Sequence, residues 1–244
     1  MKPNQVPAPI LAPGTFAGAP LDAIKLIAAL LMVADHINTI FLGNHASLLW
    51  KIGRIVYPLF CFALVCNIQR GTSVTKYLAT LLVAGAVAQP FYAGALDETD
   101  GNILFTLAVG IAIIAALREQ SLVVQHVVLC IGVVAIFTPL AHARSGLDFG
   151  LAGMLFPPAL YLVLAGRWSH AIWLALLLIG LNWQLPDPWR LGPLTNAAIA
   201  AVGSIAIVLL CSRFKGYPRF LPRYALHIFY PAHLLVLGAL HGWS

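Results

Sequence analysis

Apolar segments recur along the chain at 21–42, 52–69, 76–95, 103–117, 121–141, 149–166, 169–185, 190–211 and 222–241, with short polar or Pro- and Gly-bearing breaks between them. About 20 apolar residues at 1.5 Å each cross roughly 30 Å of hydrocarbon. The pattern therefore predicts an all-α fold, a polytopic integral membrane bundle of about nine transmembrane helices. The fourth segment is short, and only Pro186-Asp187-Pro188 separates the seventh from the eighth. Residues 1–20 are rich in Pro, Ala and Gly and carry a single Lys, with no apolar run of signal-peptide length. They read as a flexible cytosolic tail ahead of one transmembrane domain at 21–244. No internal repeat of the kind that marks many transporters stands out.

Composition strengthens this reading. The chain is 61% hydrophobic and 9% charged, against about 25% charged in soluble domains, so it has too little polar surface for water. The net charge of +6 does not point to nucleic acid, because the cations are scattered between apolar segments as orientation signals would be. With the N-terminus inside, the inner loops hold Lys2, Arg70, Lys76, Arg118, Arg167, Arg213, Lys215, Arg219 and Arg223. The outer side receives Lys51, Arg54, Arg144 and Arg190, and with them the acids Asp97, Glu98, Asp100, Asp148 and Asp187. That asymmetry predicts a cytoplasmic N-terminus. Cys61, Cys66, Cys130 and Cys211 lie in apolar segments without a CxxC pair, which suggests neither a disulfide framework nor a metal site.

Ionisable groups at membrane depth are costly and mark candidate chemistry. In the first segment Lys25, Ala29, Met32 and His36 fall on one helical stripe, and Asp35 adjoins His36. His36 is either a general base, suited to proton transfer near neutrality, or a residue that fixes packing by bonding across helices. Arg54 lies one turn before Pro58, whose ring kinks the helix and opens room. It suits an anion such as a phosphate or carboxylate, or it snorkels to the head groups as Lys51 does. Asn102 and Thr106 open the fourth segment after the Gln89-Pro90 break, Asn102 as a cap or as a ligand group. The last segment carries His227, Tyr230, Pro231 and His233, with Tyr230 and His233 on one face. Before it the basic run Arg213, Lys215, Arg219 and Arg223 suits anionic lipid or a phosphorylated cosubstrate. His45, His126, His142, His170 and His241 fall at segment ends or in loops, without evident chemistry.

The spacing of Lys25 and His36, with ten residues between them, resembles the first helix of integral-membrane acyltransferases, with Lys in place of the commoner Arg. The ordered set Met32-Val-Ala-Asp35-His36, Gly53-Arg54-Ile-Val-Tyr-Pro58-Leu-Phe60, Gln89-Pro90, Asn102-Ile-Leu-Phe-Thr106-Leu and Phe229-Tyr230-Pro231-Ala-His233-Leu resembles the TraX family of conjugal-transfer pilin N-acetylases. The resemblance covers about residues 21–240. It implies a bacterial inner-membrane acetyltransferase that uses acetyl-CoA, without a metal, and modifies the N-terminal amine of a pilin precursor. His36 would be the base, aided by Asp35, and Arg54 would position an anionic group. Lys25, Asn102, Tyr230, His233 and the Arg213–Arg223 cations would bind the substrates. The residues alone leave open a membrane O-acyltransferase acting on an envelope sugar, a transporter using Asp35-His36 as a proton relay, and a non-catalytic assembly factor.

Overall fold

Helix ends in this chain fall where the backbone is capped or bent. The computed structural model describes residues 16–137, 146–184 and 190–242. Among these, nine α-helices account for the apolar segments: α1 Ala19–Leu42, α2 Ser47–Gln69, α3 Val74–Leu96, α4 Ile103–Leu117, α5 Leu122–Ile136, α6 Gly150–Leu164, α7 Ala171–Gln184, α8 Pro193–Ser212 and α9 Ala225–His241. Pro20 and Pro193 sit in the first turns of α1 and α8, where a missing N–H costs nothing. Ser73, Asn102 and Ser121 accept backbone N–H groups in the first turns of α3, α4 and α5. Left-handed residues at Gly43, Asp97 and Gly242 end α1, α3 and α9. The tail at 1–15, His142, Arg144 and Pro186-Asp187-Pro188 lie outside the described residues.

The boundaries match the hydrophobic pattern closely, with two shifts: α5 ends at Ile136, five residues before the end of its apolar run, and α2 starts early. Helix α2 begins at Ser47, five residues before its apolar run, so Lys51 is inside the helix. Its cap position is Ala46, which offers no side-chain acceptor, and so no start signal marks it. Helices α1, α2, α3 and α8 are long and apolar enough to cross a membrane unaided, whereas the other five are shorter apolar helices.

The helices close into a ring. α1 packs on α2, α2 on α6, α6 on α4, α4 on α3, α3 on α9, and α9 returns to α1; α7 and α8 bridge α6 to α2 on one flank, and α5 leans on α6 and α7. Leu59, Leu64, Ile111, Leu162 and Leu234 are fully buried where these elements meet. Leu30, Val83, Val123, Ile131, Val202, Leu209 and Leu240 form an exposed apolar perimeter. Such a belt is stable against lipid, not water, and the molecule is an integral membrane bundle.

Successive helices alternate in direction, which sorts the loops into two faces. The N-terminal face holds Arg70, Lys76, Arg118, Arg167 and the run from Arg213 to Arg223. The opposite face holds the α3–α4 loop with its acids and the end of the α5–α6 loop. Those two loops are stitched together: Gly101 N–H donates to the Gly146 carbonyl at 2.8 Å, and Asp148 N–H donates to the Gly101 carbonyl at 2.8 Å.

Candidate active site

The stripe on α1 faces the inside of the ring. Ala29 and Met32 are 2% and 5% exposed, and His36 meets α9 one turn beyond Met32. There His36 Nδ1 lies 3.0 Å from His233 Nε2, the two rings stacked at 5.1 Å. His233 Nδ1 in turn lies 3.1 Å from the Phe229 carbonyl oxygen. A carbonyl only accepts, so His233 Nδ1 carries the hydrogen and its Nε2 is an acceptor. His36 Nδ1 must then be the donor. That leaves the lone pair of His36 on Nε2, with the ring held by a neutral partner (the logic of a base fixed by an orienting group). Phe229 also stacks on His233 at 5.1 Å, and Tyr230 tilts against it at 5.5 Å.

Helix α2 supplies the wall beside the pair. Gly53 faces Asp35 so closely that a methyl group at position 53 would overlap the carboxylate; only glycine leaves room for it. The Arg54 guanidinium lies 4.6 Å from the centre of the buried Trp50 ring and exerts its charge on the carboxylates of Asp35 and Asp148. Tyr57, a turn further on, donates from its hydroxyl to the Gly153 carbonyl at 2.6 Å and stacks on Phe149 at 4.4 Å.

The opposite-face loops cover this half of the bundle. Thr106 donates to the Asp148 carbonyl at 2.6 Å, and Phe149 takes a left-handed φ of 62°, a strained choice for a bulky residue. Together these contacts fix the direction of Asp148. Burial pushes its carboxyl up to about 7; Glu98 adds to that, while the Phe149 backbone, the Tyr92 hydroxyl and Arg54 oppose it. Asp148 counted only as a loop charge in the sequence. Its nearness to Arg54, Tyr92 and Tyr230 depends on a loop 40 residues or more from each of them, and no local pattern reports it.

From the other face a cavity of about 630 Å³ descends between α1, α2, α3, α4 and α9. Its rim carries Lys25, Lys76, Arg219 and Arg223; its inner end is formed by Met32, Phe229 and Tyr230, one turn short of the histidine pair. The basic loop is tied over the mouth by Asp22, 2% exposed, whose carboxylate accepts from Phe220 N–H at 3.1 Å and Leu221 N–H at 3.0 Å. Lys25 and Arg219 lie 3.7 and 3.6 Å from the same carboxylate.

The structure thus gathers His36, Asp35, Arg54, Tyr230 and His233 in one half, and Lys25, Arg219 and Arg223 at the rim. Arg213 and Lys215 are exposed and do not line the cavity. Asn102 is committed to the fold. Its oxygen caps Leu104 N–H, and its amide donates to the Gly85 carbonyl at 2.9 Å and to Gln89 Oε1 at 2.8 Å. Gln89 also donates to the Asp100 carbonyl at 2.9 Å, so the α3–α4 turn is a closed polar unit. Lys76 and Asn67 line the cavity without any sequence signal that singled them out. A second histidine pair, His126 and His170, stacks at 4.2 Å on the far flank. His126 Nδ1 accepts from Trp173 at 2.6 Å, so its Nε2 donates to Ser169 at 3.1 Å and is not a base. Among the described residues no three His, Cys, Asp or Glu side chains come together as a metal site.

No solved structure matches the chain. It is 30% identical over 236 residues to the probable fimbrial assembly protein FimC, serogroup H1, of Dichelobacter nodosus, covering 88% of this chain and 92% of that protein. To protein TraX of Escherichia coli it is 31% identical over 225 residues, covering 90% and 86%. The family model described as TraX protein matches residues 20–241, which takes in the nine described helices but for the first residue of α1, and the chain belongs to the TraX family.

Proposed function

We propose that this chain is an inner-membrane acetyltransferase that moves an acetyl group from acetyl-CoA to the N-terminal amine of a conjugative pilin. The observation that carries the reading is a histidine pair of fixed tautomer, set just beyond the inner end of a cavity whose outer rim is cationic. The amine nitrogen must shed a proton as its bond to the thioester carbon forms, and the Nε2 lone pair of His36 is the base offered there. His233 holds the ring and stabilises the imidazolium that forms, by accepting from His36 Nδ1. Arg54 and Tyr230 supply charge and a hydroxyl for the oxyanion that develops on the carbonyl. Lys25, Lys76, Arg219 and Arg223 suit the phosphates of the donor, and the apolar lining residues, Phe60, Leu64 and Leu107 among them, suit its thioester arm. Arg213 and Lys215 stand further out and serve steering or lipid contact.

The positive-inside bias puts the cationic rim in the cytoplasm, where acetyl-CoA is made available, and the Asp148 half toward the outer face. The name of the Dichelobacter relative, a fimbrial assembly protein, supports a pilus subunit as acceptor. The test is incubation of the detergent-purified protein with radiolabelled acetyl-CoA and its pilin, beside His36→Ala. Label should enter the pilin N-terminus and fall by about 10²–10⁴-fold in the variant, the usual worth of a general base. CoA binding without pilin labelling would move the acceptor to another nucleophile, such as an envelope sugar hydroxyl. An absence of CoA binding would sink the reading and favour proton-coupled transport through the same pair.

A further inference from the structure

Acetylating an ammonium group removes two protons from nitrogen, whereas acetylating a hydroxyl removes one from oxygen. In the first case the C–N bond forms, the thioester C–S bond breaks, one proton ends on the departing thiolate and one leaves to water. His36 accounts for a single proton, taken from the attacking nitrogen and returned to sulfur. A second acceptor is therefore required for an amine and superfluous for an alcohol.

The opposite-face half of the bundle holds one. Asp148 is fixed by its backbone N–H on the Gly101 carbonyl at 2.8 Å, its own carbonyl on Thr106 at 2.6 Å, and the left-handed Phe149 that follows it. The residue as a whole is half-buried, while burial dominates at its carboxyl group. Charged and titratable groups on three helices and a loop act on it electrostatically: Arg54 and Tyr57 on α2, Tyr92 on α3, Tyr230 on α9, and Glu98 in the α3–α4 loop. The Tyr92 hydroxyl favours the ionised carboxylate, and Tyr57 is stacked on Phe149, the next residue along the chain. A carboxylate with aromatic residues in its neighbourhood suits an alkylammonium ion, through charge first and through ring faces where they are reached. Tyr230 connects this group to the pair, its ring 5.5 Å from that of His233.

We propose that Asp148 is the acceptor subsite: it binds the acceptor as a primary ammonium and takes its first proton, which restricts the enzyme to amines. This rests on the acetyltransferase reading, but its binding half is testable without acetyl-CoA. The carboxyl's elevated position, near 7, lies close to an α-ammonium at about 7.7–8.0, so the transfer between them is nearly even. Glu98, exposed in the covering loop, carries the proton on to water.

The experiment titrates the full-length detergent-purified chain with phenethylamine and with its hydroxyl counterpart 2-phenylethanol, read by tryptophan fluorescence. The wild type should bind the amine about tenfold more tightly or better, the scale of one charge-assisted contact. Asp148→Asn should erase that preference while leaving the alcohol titration and CoA binding unchanged. Between about pH 8 and about pH 6 the amine should weaken in the wild type, as Asp148 takes up a proton while the ammonium stays charged. Tyr92→Phe, which removes the hydroxyl that favours the ionised carboxylate, should move that midpoint upward. A folding control has its own sign. Burial raises the Asp148 carboxyl above its unfolded value, so the folded state binds the proton more tightly and stability falls as pH rises from about 4 to about 7. Asp148→Asn escapes that cost and should melt no lower than wild type above neutrality. The proposal is overturned if the wild type shows no amine preference, if Asp148→Asn keeps it, or if amine and alcohol weaken together. Failure of the wild type to bind CoA would instead remove the acetyltransferase reading alone.

Discussion

At the scale of single residues, the contact between His233 Nδ1 and a backbone carbonyl has a measurable consequence. Under the proposed mechanism His233 acts through His36, so its loss should change turnover more than cosubstrate affinity. His233→Ala should lower kcat by about 10–100-fold, the usual cost of losing an orienting partner, with the CoA KM little changed. His233→Gln offers an amide oxygen to the same His36 N–H and should recover part of the rate. Equal losses in the two variants would mean that His233 merely fills space. Sequence alone marks both histidines as expensive at membrane depth. It cannot report that they meet, because 197 residues separate them and only the return of α9 to α1 brings them together. Asp148 is harder still to find, for its role depends on a loop stitched to another loop.

Helix α2 illustrates what an element contributes as a unit. One face presents Gly53, Arg54 and Tyr57 to the reaction half, and Pro58 cannot bond back to the Arg54 carbonyl. Gly53 is the residue that lets the helix lie against Asp35. Gly53→Ala should force the carboxylate or the helix aside at a cost of about 1–3 kcal/mol, as overpacking does, and reduce acetyl transfer at the same time. Unaltered thermal melting and activity in detergent would show that the gap is slack. The element pattern was readable because its signals are local: periodic apolar runs, polar or Pro-bearing breaks, and Asn102 as a cap. Helix α2 started early because Ala46 gives no such sign. Asn102 shows the limit of reading a polar residue by type. The same amide that could have held a ligand is used up by Gly85 and Gln89, and the register of α3 against α4 decides that.

For the molecule as a whole, charge is divided between faces, and Asp22 anchors the division. Its buried carboxylate holds the backbone of the loop that brings Arg219 and Arg223 over the cavity mouth. Asp22→Ala frees that loop and should raise the Kd for CoA by about tenfold, or 1.4 kcal/mol, measured by calorimetry. Asp22→Asn keeps an acceptor for the two N–H groups while deleting a negative charge beside the proposed phosphate site, and should bind CoA at least as well as wild type. If both variants weaken binding alike, the loop is not what Asp22 secures. The sequence already hinted at the split through its cation bias, but placing a buried acid under a basic loop required the packing of α1 against the α8–α9 connection.

The two covered ends of this bundle have a consequence for traffic across the bilayer. Under the proposed chemistry the donor never leaves its own compartment and the acceptor never enters it; only two carbons change sides. The reaction is then vectorial, an export of acetyl units driven by thioester cleavage rather than by an ion gradient. A compartment that holds no acetyl-CoA could in this way be supplied with acetylated protein, with no carrier cycling and no open pore.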